Sequence, residues 1–147
     1  MKRNRSRSAP DTEAPEKMIE KENEHLRSAL VEIAAENWRF EHALKKVLQG
    51  MDIMEAERFS RQYSYFSSRV SQAMSLAGLT CLDMSGQLYD VGMAVQGMNL
   101  EEFEEEESLI ITRMVEPVIL WNGRVVRSGM AMLGRAAHPQ EAEEEQT

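Results

Sequence analysis

The chain has 147 residues, of which 42% are hydrophobic and 29% are charged, and its formal net charge is −8. This length supports one modest core plus an extension, and the negative charge argues against nucleic acid as the main partner. The single cysteine, Cys81, excludes an intramolecular disulfide framework. No apolar stretch is long enough for a signal peptide or a membrane span, so we expect a cytoplasmic protein without a membrane partner.

The sequence contains no pattern typical of an enzyme. His25, His42 and His138 lie far apart in different contexts, which predicts neither a metal site nor a catalytic triad. A glycine-rich phosphate loop is also missing from the sequence. We therefore expect a protein that is not an enzyme and needs neither a metal nor a cofactor.

Both ends of the chain are predicted to be disordered tails of opposite charge, basic over residues 1–15 and acidic over residues 137–147. The basic tail leaves open a contact with nucleic acid or with an acidic surface, but a short solvated tail is the simpler interpretation. The charged residues of the two tails are Lys2, Arg3, Arg5 and Arg7, and Glu141, Glu143, Glu144 and Glu145.

Residues 16–50 are predicted to form one long helix with a coiled-coil seam, because apolar residues recur every seven positions. A buried asparagine in such a seam is best satisfied by its own copy across a parallel pair of helices, so the pattern predicts a parallel homodimer. The alternative is an amphipathic helix that packs on its own β-domain. One row of the seam is Ile19, Leu26, Ile33, Phe40 and Val47, and the other is Asn23, Leu30, Asn37 and Leu44.

Residues 51–78 are predicted to contain a second, shorter helix. Gly50 interrupts the first helix, and apolar residues recur at spacings of three and four over residues 59–77. Gly78 fits the position after a helix, where the left-handed conformation is common. A dimer would bury the apolar stripes of both helices most economically in a four-helix bundle.

Residues 79–136 are predicted to form a compact β-domain, since short apolar runs alternate there with polar connections. The predicted strands cover residues 79–82, 91–95, 109–114 and 118–121, and two more follow the last turn. Residues 83–90 and 99–108 are predicted loops. The complete chain is therefore predicted to be α+β.

The dipeptide Asn122-Gly123 between two apolar runs predicts a tight β-hairpin with a type I′ turn. Arg124 and Arg127 follow on the second strand of this hairpin. Two interpretations of these arginines remain open. They are either solvated charges that protect an exposed strand edge, or donors of charge-assisted hydrogen bonds to an acidic partner.

The order of these parts, together with "LKKVLQGMD", "SLAGL" and "NGRVVRSGMAMLGR", resembles the GrpE family of nucleotide exchange factors. The resemblance covers residues 16–135 in architecture and is concentrated in the C-terminal hairpin. It implies a short member of the family with a long parallel dimeric coiled-coil helix, a short bundle helix and a small C-terminal all-β domain.

The resemblance also implies a function as a cochaperone of a DnaK-type chaperone. In the GrpE family, the β-domain binds the chaperone's nucleotide-binding domain and opens its cleft, so that ADP leaves. Arg124 matches the hairpin arginine that contacts the chaperone, Arg127 is its neighbour, and Asn122 and Gly123 present them. Two other classes remain open: a homodimeric coiled-coil scaffold or adaptor whose β-domain binds another protein, and a nucleic-acid-binding dimer that relies on the basic tail.

Overall fold

The computed structural model describes residues 14–137, which form two long helices, six short strands and one turn of 3-10 helix. The predicted α+β class is confirmed. The basic cluster of residues 2–7 and the acidic cluster of residues 141–145 lie outside the described residues, so the two predicted tails stay predictions. The chain divides into two compact units, Met1–Leu30 and Val31–Thr147.

Helix α1 comprises Pro15–Gln49, which matches the predicted helix to within one residue at each end. Pro15 occupies the first helical position, where a missing backbone N–H breaks no helical hydrogen bond. In the first unit, Ile19 and Leu26 of this helix are both more than half exposed. They belong to the row that was predicted to form a coiled-coil seam.

In the second unit, α1 packs on the β-domain through a face that the heptad pattern did not identify. Ala34 and Ala35 are completely buried, and their small side chains pack with Leu79 and Ile119 of the domain. Trp38 enters the main hydrophobic core and is only 8% exposed. This part of α1 therefore packs on the β-domain of its own chain through residues that lie outside the predicted seam, and the coiled-coil dimer stays a prediction.

Helix α2 comprises Ile53–Leu76 and begins earlier than the predicted residue 59. Asp52 caps its first turn, since the carboxylate accepts a hydrogen bond from the backbone N–H of Met54 at 3.0 Å. Gly78 follows the helix with φ of 78°, as the sequence predicted. The two helices meet where Ser67 donates a hydrogen bond of 2.7 Å to Glu41.

Six strands form two sheets of three strands each, in the orders β1-β4-β5 and β2-β6-β3. β6 lies in the centre of its sheet, parallel to β2 and antiparallel to β3. Side chains from this sheet, including Ile111 and Ala131, surround Trp38 in the core together with Val118 of β4. The strands are β1 (Leu79–Leu82), β2 (Val95–Gly97), β3 (Leu109–Glu116), β4 (Val118–Trp121), β5 (Arg124–Arg127) and β6 (Gly129–Arg135).

The prediction of a strand over residues 91–95 is wrong except at Val95. Residues 91–94 form turns instead, because the carboxylate of Asp90 accepts a hydrogen bond of 2.8 Å from the N–H of Gly92. The carbonyl of Asp90 accepts a second one of 3.0 Å from the N–H of Met93. Such local bonds from an aspartate compete with strand pairing. Within the predicted loop of residues 99–108, Leu100–Glu102 form the 3-10 helix.

Candidate functional site

The candidate site is the β4–β5 hairpin, and its turn has the predicted backbone conformation. Asn122 and Gly123 have φ of 47° and 78°, the positive values that a type I′ turn requires at both central residues. The strands pair so that Trp121 lies opposite Arg124 and Leu120 opposite Val125. The register then shifts, and Arg127 lies opposite Ile119, which leaves Val126 as an extra residue in β5.

β5 lies at the edge of its sheet and exposes most of its side chains. Val125 and Val126 are 51% and 41% exposed, and Arg124 is exposed beside them at the turn. Among residues 14–137, no acidic side chain forms an ion pair with Arg124. The hairpin therefore presents an unpaired guanidinium next to a small apolar surface, a combination that suits a protein partner with an acidic group.

Arg127 has a different environment, although the sequence placed it beside Arg124 as a partner-binding residue. Its Nη1 atom lies 3.0 Å from Oε1 of Glu32, and its Nη2 atom lies 3.2 Å from Oε2 of Glu116. Burial lowers the pKa of Arg127, but the hydrogen bond and the charge of Glu32, with the charge of Glu116, outweigh burial and raise it above its usual range. Arg127 is therefore bound within its own chain.

The acidic partners of Arg127 belong to a larger network that sequence reasoning missed. The other carboxylate oxygen of Glu116 accepts a hydrogen bond of 2.6 Å from Arg39, which also pairs with Glu36 at 2.9 Å. The spacing of Glu36 and Arg39 on a helix is a signal visible in the sequence. No sequence signal links Glu116 to Arg39 or Arg127, because the three residues lie on different elements, and Glu116 is 77 positions from Arg39 and 11 from Arg127.

The predicted dimer residues divide into two groups. In the second unit, the protomer leaves one row uncovered, since Ile33, Phe40 and Val47 are each more than half exposed. In the first unit, Leu30 is 36% exposed. Asn23 is also exposed. In contrast, Leu44 is only 9% exposed because its own chain covers it, and Asn37 is half-buried and lies 3.4 Å from the Glu41 carboxylate. The dimer itself stays a prediction.

A second polar cluster lies where α1 meets β1, around His42. The ring of His42 stacks on Trp38 with 3.6 Å between ring centroids, and its Nδ1 lies 2.9 Å from the carbonyl oxygen of Trp38. Its Nε2 lies 3.5 Å from the carboxylate of Asp83. Burial raises the pKa of Asp83, but hydrogen bonds from Ser85 and the interaction with His42 outweigh it and lower the pKa below its usual value.

Neither cluster resembles a metal centre. Across residues 14–137, no three His, Cys, Asp or Glu side chains are grouped so that they would hold a metal ion. Burial and the charge of Glu41 raise the pKa of the Cys81 thiol. In the part of the chain that the structure describes, no helix has the length and hydropathy needed to cross a membrane.

Comparisons with protein-family models, with curated proteins and with solved structures found no match to this chain.

Proposed function

We propose that this protein is a GrpE-like nucleotide exchange factor, which accelerates ADP release from a DnaK-type chaperone in the cytoplasm. The observation that carries the proposal is the exposed guanidinium of Arg124, held at a tight turn without an acidic partner among the described residues. An arginine is always charged and donates hydrogen bonds in a planar fork, so it suits a carboxylate on the chaperone. The resemblance of the segment "NGRVVRSGMAMLGR" to the GrpE hairpin supports the same assignment.

The proposed mechanism needs differential affinity and no catalytic group. A protein that binds the open nucleotide-binding domain more tightly than the closed one shifts the chaperone towards the open conformation. ADP then leaves the opened cleft. The exposed side chains of Arg124, Val125 and Val126 support this proposal, because they offer charged and apolar contacts on one short strand.

The proposal includes a parallel homodimer. Support comes from the row of apolar α1 side chains that the protomer leaves exposed, such as Ile33, Phe40 and Val47. On α2, Phe66 is also half exposed, and no residue of that helix is fully buried. A second copy would cover these side chains and bury apolar area that now faces water. Leu44 would stay in the packing of its own protomer.

The proposal is tested by measuring the release of a fluorescent ADP analogue from DnaK-type chaperones of the source organism. The wild-type protein should accelerate release from at least one of them. Arg124→Ala should weaken chaperone binding by about 1.5–3 kcal/mol, or roughly ten- to a hundredfold, because one charge-assisted contact is lost.

Arg113→Ala is the matched control for this experiment. Arg113 is exposed on β3, which belongs to the other sheet, and it forms no ion pair among the described residues. Its loss changes the net charge by the same amount as the loss of Arg124. It should leave the exchange rate unchanged. Full exchange activity of Arg124→Ala would refute the contact assigned to Arg124. If the wild-type protein accelerates ADP release from none of these chaperones, the proposed function is refuted.

A further inference from the structure

Arg127 and Glu116 join three elements of the fold, α1, β3 and β5. Glu116 is the last residue of β3 and is followed by the fully buried Pro117 and Val118. Its two carboxylate oxygens accept hydrogen bonds from different arginines, Arg39 on α1 and Arg127 on β5. Glu32 on α1 binds the other Nη atom of Arg127. The four residues therefore link the edge strand β5 to α1 and to the end of β3.

We infer that Arg127 is a positioning residue, which holds the hairpin so that Arg124 alone makes the arginine contact with the partner. The inference rests on the proposed function for the identity of that partner. It assigns different roles to two arginines that lie three positions apart on the same strand.

The availability of the two guanidinium groups supports this division. Both terminal nitrogens of Arg127 are used by carboxylates of its own chain, and its side chain is 25% exposed. The positive charge of Arg127 is thus already balanced by two carboxylates of its own chain, so a partner carboxylate would gain less from binding it than from binding Arg124. The charge of Arg124 is not balanced in this way, because it has no ion pair among residues 14–137.

The position of β5 explains why the network matters for Arg124. Among the described strands, β5 pairs only with β4, and that pairing is interrupted at Val126 by the register shift. At the turn, the backbone N–H of Asn122 donates a hydrogen bond of 2.8 Å to the carbonyl of Gly78. The ion pairs of Arg127 hold the opposite end of the strand. The segment that carries Arg124 is thereby fixed at both ends.

The inference is tested with Arg127→Ala, Glu116→Gln and the milder Glu32→Gln, each compared with wild type in two assays. The first is hydrogen–deuterium exchange of the peptide containing β5 in the protein alone. The second is affinity for the chaperone. Glu116→Gln and Arg127→Ala should each raise exchange in β5 and weaken binding several-fold. The effect of the double variant should be smaller than the sum of the two single effects, because both single variants remove the ion pair between Arg127 and Glu116.

Arg127→Lys gives a further readout. A lysine keeps the charge but lacks the planar fork that reaches two carboxylates, so it should restore only part of the protection and part of the affinity. Arg135→Ala is the matched control. Arg135 lies on β6 and pairs with Glu107 at 2.8 Å, and its loss removes the same charge as the loss of Arg127. It should leave exchange in β5 and chaperone affinity unchanged.

The two proposals fail in different ways. If Arg127→Ala weakens chaperone binding while Glu116→Gln and Glu32→Gln leave both assays unchanged, Arg127 is itself a contact residue and the inference is wrong. Unchanged hydrogen exchange in all three variants would also overturn it. If no chaperone binds the wild-type protein, the proposed function fails, and the exchange assay still decides whether Arg127 positions the hairpin.

Discussion

The turn of the candidate hairpin is bonded to the end of α2, because the backbone N–H of Asn122 donates a hydrogen bond to the carbonyl of Gly78 at 2.8 Å. Both residues have positive φ, 78° at Gly78 and 47° at Asn122. The side chain of Asn122 lies so close to Gly78 that a Cβ atom there would overlap its Oδ1 atom. Gly78 therefore permits both the end of the helix and the close approach of the turn.

We predict that Gly78→Ala destabilises the protein and displaces the turn. The left-handed conformation alone costs a residue with a Cβ atom about 1–2 kcal/mol, and the overlap with Asn122 adds to it. Gly86→Ala is the matched control, since Gly86 has φ of 85° but nothing lies within 4 Å of its Cβ position. Urea unfolding should show a larger loss at Gly78 than at Gly86. Equal losses would mean that the contact with Asn122 is unimportant.

Trp38→Ala should lower the free energy of unfolding by about 3–5 kcal/mol, the usual effect of removing a large buried aromatic side chain. Trp38 is 8% exposed, packs in the main core and stacks on His42. Equilibrium unfolding monitored by circular dichroism measures the change. Tyr65→Ala on α2 is the control, since it removes an aromatic ring that is 72% exposed and should cost far less. A small effect of Trp38→Ala would contradict the packing of α1 on the β-domain.

Ile33→Asp should shift the protein from dimer to monomer. Ile33 belongs to the exposed row of α1, and a buried aspartate in the proposed interface would lack a partner for its charge. Sedimentation of the wild type should give twice the chain mass of 16.8 kDa. Val126→Asp adds the same charge on the exposed strand β5, so it should leave the mass unchanged. A wild-type monomer at micromolar concentration would remove the proposal of a homodimer.

Asp83 should make the stability depend on pH in the acidic range. Its pKa is lowered in the folded state, so the ionised carboxylate stabilises the fold above the ordinary pKa of 3.8. This contribution is lost as the pH falls below that value towards the folded-state pKa. The urea midpoint of unfolding can be measured between about pH 6 and about pH 2.5, the range in which linkage predicts the loss. As the pH falls, the midpoint should decrease less steeply in Asp83→Asn than in wild type. Identical slopes would show that the interactions of Asp83 with Ser85 and His42 are too weak to matter.

The sequence predicted the features that depend on neighbouring residues. The long helix, the glycine after α2 and the Asn122-Gly123 turn each have a local signal, and all three are confirmed. The face of α1 that packs on the β-domain was missed, because Ala34 and Ala35 are too small to stand out beside the apolar heptad rows.

The environment of Arg127 was missed for a different reason. Its partners Glu32 and Glu116 come from other elements, so no spacing in the hairpin reveals them. In addition, the extra residue at Val126 breaks the alternation of side chains along β5. Counting positions from Arg124 therefore does not tell on which face Arg127 lies.

The central place of β6 in its sheet has a consequence for synthesis on the ribosome. β2 and β3 are joined only through β6, which is the last of the described strands to be translated. Until Gly129–Arg135 has emerged, β2 and β3 have no strand to pair with, and Trp38 lacks the buried Ala131 and Leu133 of its core. Both helices leave the ribosome much earlier, so their apolar side chains are exposed to water until β6 emerges. Nascent chains with such exposed apolar surface are prone to aggregate.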